Sequence, residues 1–182
     1  MILYVVIGII VLIAIYAVSQ YNSFVKLNNM VKEAFSTMDV YLKKRWDLVP
    51  NLVETVKGYM KHESEVLEKI VELRNSSYDK MYSSDKIDAN KELSNGLSKL
   101  IAVAENYPEL KASQNFSDLT RQLSQIEDEI AKSRKYYNGV VRNLNTKVEK
   151  FPSNIIASMF NFKTEKMFEA DENERKNVKV EF

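Results

Sequence analysis

Cysteine is absent from the 182-residue chain, and histidine occurs once, at His62. The first absence excludes disulfides, thiolate metal sites and Cys-His catalysis; the second leaves a Ser-His-Asp triad one residue on which to be built. His62 lies in Lys61-His62-Glu63-Ser64-Glu65, a charged stretch with the character of a solvated helix face. A ferritin-like carboxylate bundle needs Glu-x-x-His from two helices. One histidine cannot supply that, and no Glu stands three residues before His62. No segment has the spacing of an EF-hand, and no glycine-rich loop could cradle a phosphate. A carboxylate-based metal-dependent hydrolase would have to be assembled from Glu54, Glu63 and Glu65 with His62. The favoured expectation is no enzyme, no cofactor and no metal site.

Glycine and proline are also scarce, at four and three residues. That is poor material for a turn-rich β fold and good material for long helices. Charge is abundant but balanced, with a formal net of +1, so no basic face for nucleic acid is implied. Lack of thiols is compatible with either redox compartment.

The most informative absence is local. No Lys, Arg, Asp or Glu occurs before Lys26, and Met1 to Val18 contains no strongly polar side chain. As a helix rising about 1.5 Å per residue, eighteen residues reach roughly 27 Å, close to the ~30 Å hydrocarbon core of a bilayer. A cleaved signal peptide would carry a basic n-region, which is missing, although Ala17-Val18-Ser19 weakly resembles a cleavage site. A retained transmembrane anchor is favoured over a signal peptide or a soluble core helix. Tyr4, Tyr16 and Tyr21 stand near its ends, where amphipathic rings prefer the interface. Lys26 and Lys32 follow the anchor with no base upstream, so the positive-inside rule places the N-terminus outside and the domain in the cytoplasm.

Beyond the anchor, Phe24, Val31, Met38, Arg45, Leu52, Tyr59, Val66 and Leu73 recur every seven residues. Four residues on runs a second row, Asn28, Phe35, Leu42, Val49, Val56, Glu63 and Ile70. These are the a and d positions of helices packed with coiled-coil-like geometry. Pro50 kinks or ends the helix, and Asp47 could cap a new one; the unbroken phase favours a kinked continuation. Asn75 to Asp85 reads as a polar loop. Leu93, Leu97, Leu100, Ile101 and Ala104 then share one helix face, ending before Tyr107-Pro108. Asn115 with Asp118 offers a capping-box start for the last long helix. Its rows are Phe116, Leu123, Ile130, Tyr137, Leu144, Phe151 and Leu119, Ile126, Ser133, Val140, Lys147. Pro152 ends it, and the apolar Ser153 to Phe162 is too short to span a bilayer; folding back to close the bundle is favoured over a membrane or partner contact. The terminal Asn177 to Phe182 alternates like a strand with no sheet to join.

Asn28, Arg45 and Glu63 interrupt the apolar rows, and a buried polar group is costly unless paired. Fixing register, or facing the open side of the bundle, is the favoured role; a recognition surface around Lys43-Lys44-Arg45-Trp46-Asp47 is the alternative.

Several segments carry a family likeness. Leu42-Lys43-Lys44-Arg45-Trp46-Asp47-Leu48-Val49-Pro50-Asn51-Leu52-Val53-Glu54-Thr55-Val56-Lys57-Gly58-Tyr59 resembles the signature of the LemA family, with Trp46 where a tyrosine is usual. So do Ala102 to Ala112, the pair Asn115-Phe116, and Phe151-Pro152-Ser153-Asn154. The resemblance implies a single-pass bacterial membrane protein with a bundle of long helices, and neither an agreed enzymatic activity nor a catalytic residue.

The reading is therefore an all-α chain: a transmembrane helix over 1–20, an antiparallel bundle of up to four helical segments over 21–151, and an apolar segment and extended tail over 152–182. Only Ser19 to Ser23 separate the anchor from Phe24, so one rigid helical rod is expected there. The expected role is a membrane-anchored scaffold or protein-interaction module. Its partners would be the lipid bilayer and a membrane or peripheral protein, with a homo-oligomer or self-associating envelope or stress component as an alternative. The contact candidates are Arg45, Trp46, Ile155, Ile156, Met159 and Phe160.

Overall fold

The computed structural model describes residues 1–59, 64–75 and 78–168, and these are helical throughout apart from short connections and an extended stretch after residue 162. Among the described residues six α-helices follow one another: α1 (Ile2–Lys57), α2 (Ser64–Asn75), α3 (Ser83–Ala104), α4 (Pro108–Lys111), α5 (Gln114–Glu149) and α6 (Ser153–Met159). A 3-10 turn at Tyr78–Lys80 precedes α3. No strand occurs among the described residues, and the fold is all-α.

α1 runs unbroken from the apolar N-terminal stretch through Pro50, which lies inside the helix. Continuation at Pro50 thus holds. Asp47 caps nothing; it lies within α1 and pairs with Lys43 one turn back. The break comes later, after Lys57, where Gly58 disfavours helix and the Tyr59 amide donates to the Val56 carbonyl at 2.9 Å. An unbroken heptad phase concealed that break, because α2 resumes with Leu67 and Ile70 still in register for burial.

The chain forms two compact units, and α1 and α5 contribute to both. The first comprises Met1–Ser36 and Arg134–Met167. Here the N-terminal part of α1 is long and apolar enough to cross a membrane, and its side chains lie uncovered, with Ile2 83%, Leu12 67% and Val18 61% exposed. An apolar surface of that extent is foreign to a water-facing helix. Past it, α1 and α5 run antiparallel: the Lys147 Nζ sits 5.0 Å from the Phe24 ring centroid, and Phe35 meets Tyr137 edge-on at 5.8 Å. α6 packs by Ser153, Ile156 and Ala157, as a segment folded back onto its own unit should. Ser153 explains why α5 can stop here: its hydroxyl donates to the Lys147 and Lys150 carbonyls at 2.7 and 2.8 Å, satisfying groups a helix end leaves orphaned. Asn161, at φ 57°, ends α6 in the left-handed region that asparagine tolerates. The extended residues beyond are pinned to α5. Asn145 exchanges two hydrogen bonds with the Glu165 backbone, at 2.8 and 2.9 Å, and the Tyr137 hydroxyl donates to the Lys166 carbonyl at 2.8 Å.

The second unit is built on Thr37–Ser133. The C-terminal part of α1 supplies Met38, Leu42, Val49, Leu52 and Val56 to its core, at spacings of three, four and seven that place them on one face. α3 adds Leu93, Leu97, Leu100 and Ala104, while Ile101 is half-exposed; α5 adds Phe116, Leu123 and Ile130. Of the two rows read on α5, the first supplies this unit's core, and Leu119 and Ile126 of the second are only half-buried. α5 begins at Gln114, so Asn115 lies within it and does not cap it; Asp118 instead accepts from Gln114 and Arg121. Pro108 opens α4 at the first helical position, where a missing N–H costs nothing.

Candidate functional site

Arg45 is the largest fully buried side chain among the described residues, 1% exposed in the second unit. A guanidinium there must find acceptors. One nitrogen, Nη1, donates to Ser94 Oγ at 2.7 Å and to Glu127 Oε1 and Oε2 at 2.8 and 3.1 Å. The other, Nη2, donates to the Asn90 carbonyl at 2.9 Å and to Asn90 Oδ1 at 2.8 Å. A single residue of α1 thereby ties α3 and α5 together, leaving only its Nε without a partner.

The network continues outward from Asn90, itself fully buried. Its amide donates to the Tyr78 hydroxyl at 3.2 Å and the Lys86 carbonyl at 2.9 Å. Tyr78 donates to Asp39 Oδ1 at 2.7 Å, and Lys86 reaches Asp39 Oδ2 at 2.6 Å. Burial first, then the Asp39 carboxylate, raises the Tyr78 hydroxyl far above its ordinary pKa. Trp46 covers this edge, 4% exposed, with its ring centroid 5.0 Å from that of Tyr78. The fork geometry of arginine suits such a cluster, since the fixed donors of its two terminal nitrogens meet acceptors from two other helices. The arrangement ties α1, α3 and α5 to one another through side-chain hydrogen bonds.

The expected contact residues therefore separate. Arg45 and Trp46 are withdrawn into the second unit's core, where they hold helices together. The residues of α6 and the Phe160 that follows it belong to the first unit: Ile156 is 7% exposed and packs inward, whereas Ile155, Met159 and Phe160 are 51%, 70% and 51% exposed. Phe160 lies edge-on to Tyr21 at 4.8 Å, and Phe162 stacks on Phe24 at 4.8 Å, so α6 sits against the stretch of α1 that follows the apolar segment. Glu54, from the carboxylate set, is exposed on α1; His62 and Glu63, and the Glu65 side chain, lie outside the described residues. Among the described residues no three His, Asp or Glu side chains converge on a point that could hold a metal ion.

Asp39, Tyr78, Lys86, Asn90, Ser94 and Glu127 escaped the sequence reading. Asn90 had a signal: it stands seven residues before Leu97 and fourteen before Ala104, a polar residue in an apolar row. Tyr78 had none, because it lies in what reads as a polar loop.

Of the segments that resemble a known signature, the first supplies Arg45 and Trp46 to the network that locks α1 to α3 and α5, the second spans the α3–α4 turn and the last holds the Ser153 cap. The LemA family model matches residues 34–182, most of the chain. The chain belongs to the LemA family. Protein LemA of Metamycoplasma hominis is 27% identical over 165 residues, covering 88% of this chain and 74% of that protein. Magnetosome protein MamQ 2 of Paramagnetospirillum magneticum is 23% identical over 176 residues, covering 82% of this chain and 65% of its own length. The chain spans slightly less than two thirds of that relative. Neither the family description nor the relatives' names denotes an enzyme. The family match begins within α1, past the apolar segment, and takes in the lock and α6.

Proposed function

We propose that this LemA-family chain is a membrane-anchored, non-enzymatic scaffold that offers a helical surface to a membrane or peripheral protein. The observation that carries the reading is the continuity of α1, whose apolar N-terminal part and core-forming part are one helix, so the anchor is joined to folded structure without a linker. A tether needs only a flexible join; a scaffold needs a defined stance. The exposed apolar row at the C-terminal end of α6, Ile155 and Met159 with the following Phe160, supplies the contact surface beside the anchor, where a partner in the same membrane can reach it. Aromatic and methionine side chains suit such interfaces. In this reading the N-terminus faces outward, and the second unit together with the part of the first unit beyond the apolar segment lies in the cytoplasm.

Site-specific photocrosslinking in intact cells is the direct test. A photoreactive residue replacing Met159 in the full chain is expected to capture a discrete protein, and one replacing Lys99 on α3 is not. If Met159 yields no adduct above a control carrying only Met1 to Gln20, the scaffold reading loses its support.

A further inference from the structure

Charge is balanced along the whole chain but not in space. The first unit holds nine Lys and Arg against three Asp and Glu, a net of +6, so the formal +1 of the whole chain leaves −5 for the remainder. Within this basic unit lies a cavity of about 410 Å³ lined by Tyr16 and Gln20 of α1, by Arg142, Lys147 and Lys150, and by Phe151. Gln20 stands eighteen positions after Ile2, roughly 27 Å along the helix, so the cavity opens where a ~30 Å hydrocarbon core gives way to headgroups.

We infer that this cavity binds the phosphate of an anionic phospholipid headgroup, with Arg142, Lys147 and Lys150 as its cationic contacts. Three features agree on that occupant. The cations come from the α5 end and the wall from the membrane helix, so a ligand touching both must itself lie at the interface. Phe151, 74% exposed, gives the cavity an apolar lip suited to the glycerol and upper acyl region. The carbonyls of Lys147 and Lys150 already accept from Ser153, so the negative end of α5 is muted where an anion would approach. Basic residues at a helix C-terminus also offset the dipole, but Arg142 lies two turns before that end and faces the same cavity. Partial burial lowers the pKa of Lys147, whose Nζ rests over the Phe24 ring; an anionic phosphate would restore favourable surroundings to its charged form.

The inference rests on the membrane reading above, and the test keeps the two apart. Failure of the full chain to enter lipid nanodiscs would remove the membrane reading itself. With the chain in detergent, phosphatidylglycerol and phosphatidylcholine are titrated separately and bound lipid is counted by native mass spectrometry. Phosphatidylglycerol is expected to bind in preference to phosphatidylcholine. The triple variant Arg142→Gln, Lys147→Gln, Lys150→Gln is expected to weaken it roughly fivefold per residue, on the order of a hundredfold together. Lys57→Gln, Lys99→Gln, Lys111→Gln, which removes equal charge outside this unit, should leave binding within about twofold of the parent. Circular dichroism establishes that both variants keep their helices; should the triple variant unfold, Arg142→Gln alone must still show its fivefold loss. Equal binding of the two lipids, equal loss in the two variants, or full competition by inorganic phosphate at millimolar concentration would each overturn the lipid site, the last in favour of a free anion.

Discussion

At the level of single residues, Arg45 shows how a polar intruder in an apolar seam can be recognised and still misplaced. Its position at an a-type site announces register fixing, but its acceptors come from α3 and α5, which no spacing within α1 identifies. A buried ion pair seldom adds net stability over an apolar substitute, yet removing one partner strands the other. Glu127→Gln is therefore expected to destabilise the chain by ~3 kcal/mol, near the low end for a broken buried pair because the Glu127 side chain is 41% exposed. Chemical denaturation of the full chain in detergent, followed by circular dichroism, reads this; the exposed Glu54→Gln should stay within about 0.5 kcal/mol of the parent. Tyrosine burial supplies a pH dependence. Burial and then Glu165 push the Tyr137 hydroxyl from 10.0 up to about 12, and Tyr78 is raised further. The unfolded chain loses these protons near pH 10 while the folded chain keeps them. The stabilisation is thus complete below pH 10 and declines as pH rises towards 12. Denaturation midpoints measured at pH 9 and pH 11 should show the fall, and Tyr137→Phe should shrink it.

At the level of elements, two helical glycines separate propensity from packing. A Cβ on Gly139 of α5 would meet nothing within 4 Å, while one on Gly96 of α3 would lie 3.0 Å from Cγ1 of the fully buried Ile70 on α2. Gly139→Ala is expected to stabilise by about 0.5–1 kcal/mol through helix propensity alone. At Gly96 the same gain is opposed by overpacking of ~1–3 kcal/mol, giving a net loss of about 1 kcal/mol. Thermal unfolding of both variants checks the pair: equal stabilisation would mean that α2 and α3 do not approach so closely. Helix existence was legible because the apolar rows are long and glycine and proline are few. Boundaries were not. A heptad phase can survive an interruption, so Pro50 inside α1 drew attention from the true break at Gly58, and the capping-box pattern at Asn115 lost to a helix that starts at Gln114.

At the level of the whole molecule, orientation is the first quantity to measure. The chain lacks cysteine, so single cysteines can report topology without interference. Ser117→Cys on α5 is expected to resist an impermeant thiol reagent applied to intact cells and to react after lysis, with a Met1→Cys extension at the N-terminus reacting in both. The opposite pattern would reverse the orientation and the compartment in which a partner acts. The basic character of the first unit favours the cytoplasmic placement, because bases flanking a membrane span stay inside.

Composition and periodicity alone determined that the chain is all-α, that its N-terminal stretch is membrane-compatible, and that Cys-His and two-histidine chemistries are excluded; these follow from which residues are present and how often they recur. The tertiary structure decided what depends on bringing distant positions together. Arg45 meets Glu127 across 82 residues of chain, and Arg142, Lys147 and Lys150 come to face Tyr16 and Gln20 in one unit. A net charge of +1 summed along the sequence conceals a unit of +6, because electrostatic potential depends on distance in space and not on order along the chain.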